Sequence, residues 1–133
     1  VVFGFGGEDN ITTGDGNDQI FGGDGEDNIR AGRGNDVVNA GAQTDDVYLG
    51  GGADILVFEQ GGGHDRVRQF SARDDKIDLT DFGFTSFAEV QPFIQDGGNK
   101  TFIDFGDDGI TLFGVTASSL DEDNFILGDN FIL

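Results

Sequence analysis

Cysteine, methionine and tryptophan are absent from the 133 residues, and proline and histidine occur once each, as Pro92 and His64. Without cysteine there is no disulfide framework and no thiolate metal site, and the redox compartment is left open. A single histidine cannot supply the nitrogen and sulfur ligands that zinc prefers. Basic residues are also scarce: 7 Lys and Arg stand against 26 Asp and Glu, and 7 − 26 = −19. Such a chain repels polyanions over most of its surface, which excludes nucleic acid as a partner and makes cations the natural ones. No run approaches the roughly 20 apolar residues of a spanning helix, so no membrane span is expected. The start, Val1 to Gly7, has neither the charged nor the long apolar region of a signal peptide. The serines lie in no nucleophile motif, and His64-Asp65 reads as a loop pair rather than an acid/base pair. A non-catalytic module is expected, with no catalytic residue to name.

What is abundant is glycine and phenylalanine, unevenly placed. Seventeen of the 24 glycines fall by Gly63 and ten of the 14 phenylalanines from Phe70 onward. Two abutting architectures follow. The glycine-rich half has a period of nine: GFGGEDNIT from Gly4, TGDGNDQIF from Thr13, GGDGEDNIR from Gly22, AGRGNDVVN from Ala31, AGAQTDDVY from Ala40 and LGGGADILV from Leu49. Aspartate holds the sixth place (Asp9, Asp18, Asp27, Asp36, Asp45, Asp54) and an aliphatic residue the eighth (Ile11, Ile20, Ile29, Val38, Val47, Leu56). Glycine holds the fourth place except at Gln43. After two extra residues a seventh copy, QGGGHDRVR from Gln60, places Asp65 and Val67 in phase.

Glycines in such runs make tight turns, and the three remaining residues suffice for a short strand with one inward side chain. Two repeats then complete a coil of strand, turn, strand, turn, and coils stack at about 4.8 Å. This predicts an all-β, parallel β-roll over residues 4–68. Turns on one edge come from alternate repeats, so Asp9, Asp27 and Asp45 line one edge and Asp18, Asp36 and Asp54 the other. Rows of carboxylates repel one another unless a hard cation lies between them. Calcium accepts about six to eight oxygen ligands, backbone carbonyls included. Glycine runs do not signal a dinucleotide site here, because no long helix follows them.

The repeats resemble the calcium-binding nonapeptide, G-G-x-G-x-D-x-U-x, of RTX proteins. The resemblance implies a right-handed roll in which one calcium takes carbonyls two and four with the Asp of one repeat, and carbonyls one and three with the Asp two repeats on. Carried onto this sequence, the first site comprises Phe5, Gly7 and Asp9 with Gly22, Asp24 and Asp27, and the second Gly14, Gly16 and Asp18 with Ala31, Arg33 and Asp36. The third comprises Gly23, Gly25 and Asp27 with Ala40, Ala42 and Asp45, and the fourth Gly32, Gly34 and Asp36 with Leu49, Gly51 and Asp54. A fifth combination, Gly41, Gln43 and Asp45 with Gln60, Gly62 and Asp65, is less regular, since Gln43 replaces glycine and two residues are inserted before Gln60. About four calcium ions are thus expected as the cofactor, five if that combination forms. The resemblance also implies a bacterial protein that passes unfolded through type I secretion machinery and folds outside the cell. Four ions add +8 to −19 and leave −11, on a half whose charge and glycine content otherwise suit a disordered chain.

From Arg66 the texture changes to period-two stretches, RVRQF, KIDLTDF, FIQ, TFIDFG, GITLFGV and NFIL, read as short antiparallel strands of a β-rich cap over residues 69–133. Thr85 to Glu89 and Ser118 to Glu122 suggest short helical turns led by capping hydroxyls. DDKIDLTDFG at Asp74 and GITLFGV at Gly109 resemble the segment after the repeats in serralysin-type proteases and alginate epimerase modules. Asp123 to Leu127 reads DNFIL and recurs at Asp129 to Leu133, similar to the acidic-then-apolar ending of type I secretion substrates; the plainer reading is a last strand and a fraying tail. His64, Arg66, Arg68, Arg73 and Lys76 form a basic cluster. One reading of Arg66 and Arg68 is an anionic polysaccharide patch; the other is internal pairing with Asp65, Asp74, Asp75 or Asp78. The sequence opens inside a repeat without methionine, so an excised module with a covalently attached N-terminal domain is expected.

Overall fold

The computed structural model describes residues 1–128. Each nonapeptide delivers one three-residue strand centred on its eighth position: β2 (Asn10–Thr12), β3 (Gln19–Phe21), β4 (Asn28–Arg30), β5 (Val37–Asn39), β6 (Asp46–Tyr48) and β7 (Ile55–Val57), preceded by β1 (Val2–Phe3). Three residues suffice because only the middle one must turn inward. Ile20, Ile29, Val38, Val47 and Leu56 have no exposed surface, and Ile11 is buried at the open end.

Alternate strands pair in parallel with partners 18 residues apart, such as Ile11↔Ile29 and Ile20↔Val38, and form two facing sheets. One sheet runs β1-β3-β5-β7 and continues into β9 (Lys76–Asp78) and β13 (Phe125–Ile126). The other runs β2-β4-β6 into β8 (His64–Arg68), then β12 (Gly109–Phe113), β11 (Lys100–Asp104) and β10 (Ile94–Asp96). The antiparallel expectation therefore fails for three of the later strands. β8, β9 and β13 pair in parallel with β6, β7 and β9, and β12 lies parallel to β8. Among the described residues only the β10-β11-β12 meander is antiparallel. The reason is that the open coil end already presents parallel edges, and period-two sequence fits either sense of pairing.

The inward row of the first sheet reads Val2, Ile20, Val38, Leu56, Ile77, Phe125, and that of the second Ile11, Ile29, Val47, Val67, Leu112, Thr101. Buried Thr101 satisfies its hydroxyl by donating to Val115 O at 2.7 Å. First-place residues of the repeats are buried too, as Ala31, Ala40 and Leu49 show, so the core is deeper than one residue per strand. Phe58, Phe82, Phe84, Phe93 and Phe105 stack beside the last coil with neighbouring ring centroids 4.6–6.4 Å apart.

A helical turn forms near Thr85 to Glu89, whereas Ser118 to Glu122 is broken by extended Leu120 and Asp121 into two 3-10 turns, and neither region is led by a hydroxyl cap. Ser86 precedes α1 (Phe87–Val90) and Thr116 precedes the 3-10 turn Ala117–Ser119 without capping through their side chains. Thr85 bonds instead to the Glu89 carboxylate, and the turn Glu122–Asn124 is capped by Asp121. The first DNFIL copy is built into the fold. Asn124 is buried, Phe125 pairs with Ile77, and Ile126 O accepts from Leu79 N at 2.8 Å. The second copy, Asp129 to Leu133, lies outside the described residues. Among the described residues no helix is long and apolar enough to cross a membrane.

Candidate metal centre

The turns stack through their backbones. Asp24 N donates to Phe5 O at 2.7 Å, Arg33 N to Gly14 O at 3.2 Å and Ala42 N to Gly23 O at 3.2 Å, each bond linking a turn to the one two repeats before. Second- and fourth-place residues adopt positive φ: Gly7, Gly14, Gly16, Gly23, Gly25, Gly32, Gly34, Gly41, Gly50 and Gly52, and also Phe5 (φ 69) and Gln43 (φ 71). Gln43 thus curls as glycine does in the other repeats, and its Oε1 accepts from Gly25 N at 2.7 Å. A Cβ on Gly25 would collide with Gly7 O, and one on Gly34 with Gly16 O. The carbonyls of places two and four therefore aim into the adjacent turn, and at Gly25 and Gly34 only glycine leaves room.

The aspartates form two ladders of one pattern. Asp9 N donates to Asp27 Oδ1 (2.9 Å), Asp27 N to Asp45 Oδ1 (2.8 Å) and Asp45 N to Asp65 Oδ1 (2.9 Å). On the other edge Asp18 N donates to Asp36 Oδ1 (2.8 Å), Asp36 N to Asp54 Oδ1 (2.9 Å) and Asp54 N to Asp75 Oδ1 (2.8 Å). Asp75 is a rung that the nine-residue period does not reach, because one further residue is inserted after Asp65 and it follows Asp54 by 21 residues. Its signal in the sequence is the D-x-I spacing of Asp75 and Ile77, which repeats that of Asp9 and Ile11.

The second carboxylate oxygens are the unusual feature. Oδ2 of Asp9, Asp18, Asp27, Asp36, Asp45 and Asp54 is buried and has no hydrogen-bond partner. Asp27, Asp36, Asp45 and Asp54 are at most 3% exposed. An orphaned buried carboxylate oxygen is costly, so six in register call for a cation. Burial chiefly, then the neighbouring carboxylates against the opposing backbone N–H bond, pushes Asp45 and Asp54 up to about 7 and Asp65 to about 8. Asp27, Asp36 and Asp75 are raised for the same leading reason, burial. Among the described residues no three His, Cys, Asp or Glu side chains converge on one point. That suits a site in which two carboxylates share a cation with backbone carbonyls, and it suits calcium rather than a nitrogen- or sulfur-seeking metal.

Residues of the first four combinations are brought together at stacked turns, as the bonds Phe5–Asp24, Gly14–Arg33 and Gly23–Ala42 and the bridge Arg33↔Gly51 show. The fifth combination is less regular, with Gly62 N turned to Glu59 O within its own loop. Arg66 and Arg68 pair internally, but with Asp46 rather than Asp65, Asp74, Asp75 or Asp78. Asp46 is the cross-strand partner of Arg66, and the guanidiniums approach its oxygens at 2.9 and 2.7 Å. Burial opposes ionisation of Asp46, yet hydrogen bonds from Arg66 and then Arg68 hold its carboxyl below the usual range. His64 points away from buried Asp65, its Nε2 lying 3.1 Å from Gly106 O.

The repeats match the family model described as the RTX calcium-binding nonapeptide repeat (4 copies), over residues 3–38 and 21–56. No curated protein sequence proves similar enough to count as a relative. Among solved structures, the extracellular lipase LipA of Serratia marcescens superposes with TM-score 0.77 at 21% identity, over 92% of this chain and 20% of the lipase. The chain thus spans a fifth of that protein. The AlgE6R3 subunit of the Azotobacter vinelandii mannuronan C5-epimerase matches at 25% identity and TM-score 0.66, over 90% of this chain and 78% of the subunit. The AlgE6R2 subunit of the same epimerase matches at 22% identity and TM-score 0.68, over 97% and 95%. Residues 3–56 thus match RTX calcium-binding nonapeptide repeats, and the chain shares its fold with the epimerase R subunits.

Proposed function

We propose that this RTX module is a non-catalytic, calcium-gated folding unit that supports type I secretion and extracellular folding of an attached N-terminal protein. The observation that carries the reading is the set of six orphaned Oδ2 atoms facing turns whose carbonyls also point inward. Asp9 and Asp27 serve the first site, Asp18 and Asp36 the second, Asp27 and Asp45 the third, and Asp36 and Asp54 the fourth, each with the carbonyls of the two turns it joins. Bound calcium supplies positive charge that turns carboxylate repulsion into a crosslink between coils. Before it binds, glycine entropy and the charge of −19 hold the repeats open. Millimolar calcium outside a bacterial cell then makes binding energy into folding energy.

The secretion half of this reading is tested by fusing the chain behind a passenger protein in cells carrying a type I exporter. Export is expected with residues 1–133 and is lost when residues 123–133 are deleted. Equal export of the truncated fusion contradicts it.

A second reading, an anionic polysaccharide module, is favoured by the outer face of the second sheet. Thr12, Arg30, Tyr48 and Arg68 are successive cross-strand partners, and Phe113 pairs with Lys100. Arg30 lies 4.6 Å from the Tyr48 ring centroid, Arg68 lies 4.6 Å from that of Phe113, and Lys100 lies 5.8 Å from Phe113. This places cations and rings in one row beside an open recess that includes Gln69, held at φ 62. In calcium-containing gels with alginate, the chain is expected to be retarded and the Arg30→Ala, Arg68→Ala, Lys100→Ala variant not. Equal mobility of the two rules this reading out.

A further inference from the structure

The last rung of each ladder is built differently from those before it. Asp75 is 1% exposed and both of its oxygens are taken, Oδ1 by Asp54 N at 2.8 Å and Oδ2 by Ser71 N at 2.7 Å. Its turn contains no glycine and is closed locally, with Asp74 N and Asp75 N both bonded to Ser71 O at 3.1 and 2.8 Å. Two of the carbonyls there are occupied as well, since Asn124 Nδ2 donates to Ala72 O (2.8 Å) and Asp75 O (3.1 Å).

On the other edge the turn before Asp65 keeps its fourth place, Gly63, packed on Gln43, while Gly62 N turns to Glu59 O. Its Gly61 and Gly63 N–H groups donate to the Asp108 carboxylate at 2.9 and 3.0 Å, and Gly63 O accepts from Gly109 N at 2.9 Å. A side chain from the β11–β12 connection thus holds the N–H groups of this turn. The orphaned oxygens obey the same boundary. They occur at Asp9, Asp18, Asp27, Asp36, Asp45 and Asp54, the aspartates of the first four sites, whereas both oxygens of Asp75 are bonded.

We propose that the ladder ending at Asp75 is closed at its C-terminal end by protein hydrogen bonds in place of a cation. Ser71 and Asn124 close this rung, and no ion lies between Asp54 and Asp75. A calcium beyond Asp54 would find an aspartate whose oxygens both already accept N–H bonds, in a glycine-free turn over which Asn124 is seated.

The proposal rests on calcium occupying the ladders, and native mass spectrometry of the full chain in calcium tests the two separately. Asp75→Asn is expected to hold as many ions as the wild type, and Asp54→Asn one fewer. Six ions in the wild type overturn the closure whether or not the variants fold. So does loss of one ion in Asp75→Asn. A wild type that binds no calcium defeats the underlying metal reading, and the closure with it.

Discussion

Asp36→Asn is expected to remove two calcium ions at once, whereas Asp18→Asn removes one. Asp36 belongs to two of the four sites, with Asp18 on one side and Asp54 on the other, while Asp18 stands at the start of its ladder. Asparagine keeps an oxygen that can accept the Asp18 N–H, so the hydrogen-bond ladder survives and the charge and the anionic Oδ2 do not. Loss of a direct carboxylate ligand is expected to weaken the affected sites by at least about tenfold, since removal of outer-shell partners alone commonly costs that much. The two variants are compared by ion count in native mass spectra and by calorimetric titration of calcium. Equal losses from both, or no loss from Asp36→Asn, contradict the assignment of shared rungs.

The second large effect is an opposite response to pH with and without metal. Burial first, and neighbouring carboxylates after it, raises Asp45 and Asp54 to about 7 and Asp65 to about 8 in the folded chain, against about 3.9 for an unfolded aspartate. A folded pKa above the unfolded one means that the folded state holds the extra protons. The stability these groups contribute to the metal-free roll is therefore complete below about pH 4 and is lost as pH rises through about 7 to 8. In chelator, β signal is expected to grow as pH falls from 8 to 5. Calcium requires the deprotonated form, so its apparent affinity is expected to fall over the same window, by up to about tenfold per pH unit for each proton displaced. Circular dichroism in chelator and calcium titrations at pH 6, 7 and 8 read the two trends. Calcium affinity that is flat between pH 6 and 8 contradicts the buried, metal-facing placement of Oδ2.

The roll was legible because its constraints are local. One aliphatic residue per nine, such as Val38, sets strand centre and register, and an aspartate two positions earlier, such as Asp36, places a carboxylate at every turn. The conformation of Gln43 was not legible, because a positive φ at a non-glycine residue depends on the stack above and below it. The sense of pairing after residue 68 was hidden for a different reason. Alternation in KIDL or NFIL marks one buried face but not which edge is waiting for it, and the parallel edges of β7 and β9 decide that. The last rungs were the least visible. Asp108 reaches Gly61 across 47 residues, and Asn124 reaches Asp75 across 49. Asp46 took both arginines from nearer acidic residues because it lies opposite Arg66 on the neighbouring strand.

Metal-gated folding is read out by far-UV circular dichroism of the full chain through a calcium titration. The titration runs from chelator into millimolar calcium at neutral pH, with magnesium in parallel. A cooperative gain of β signal with calcium and none with magnesium is the predicted result, since stacked carbonyls and carboxylates offer the higher coordination number that calcium accepts and magnesium does not. A folded spectrum in chelator that calcium leaves unchanged would contradict it, and the aspartate ladders would then be ordinary turns.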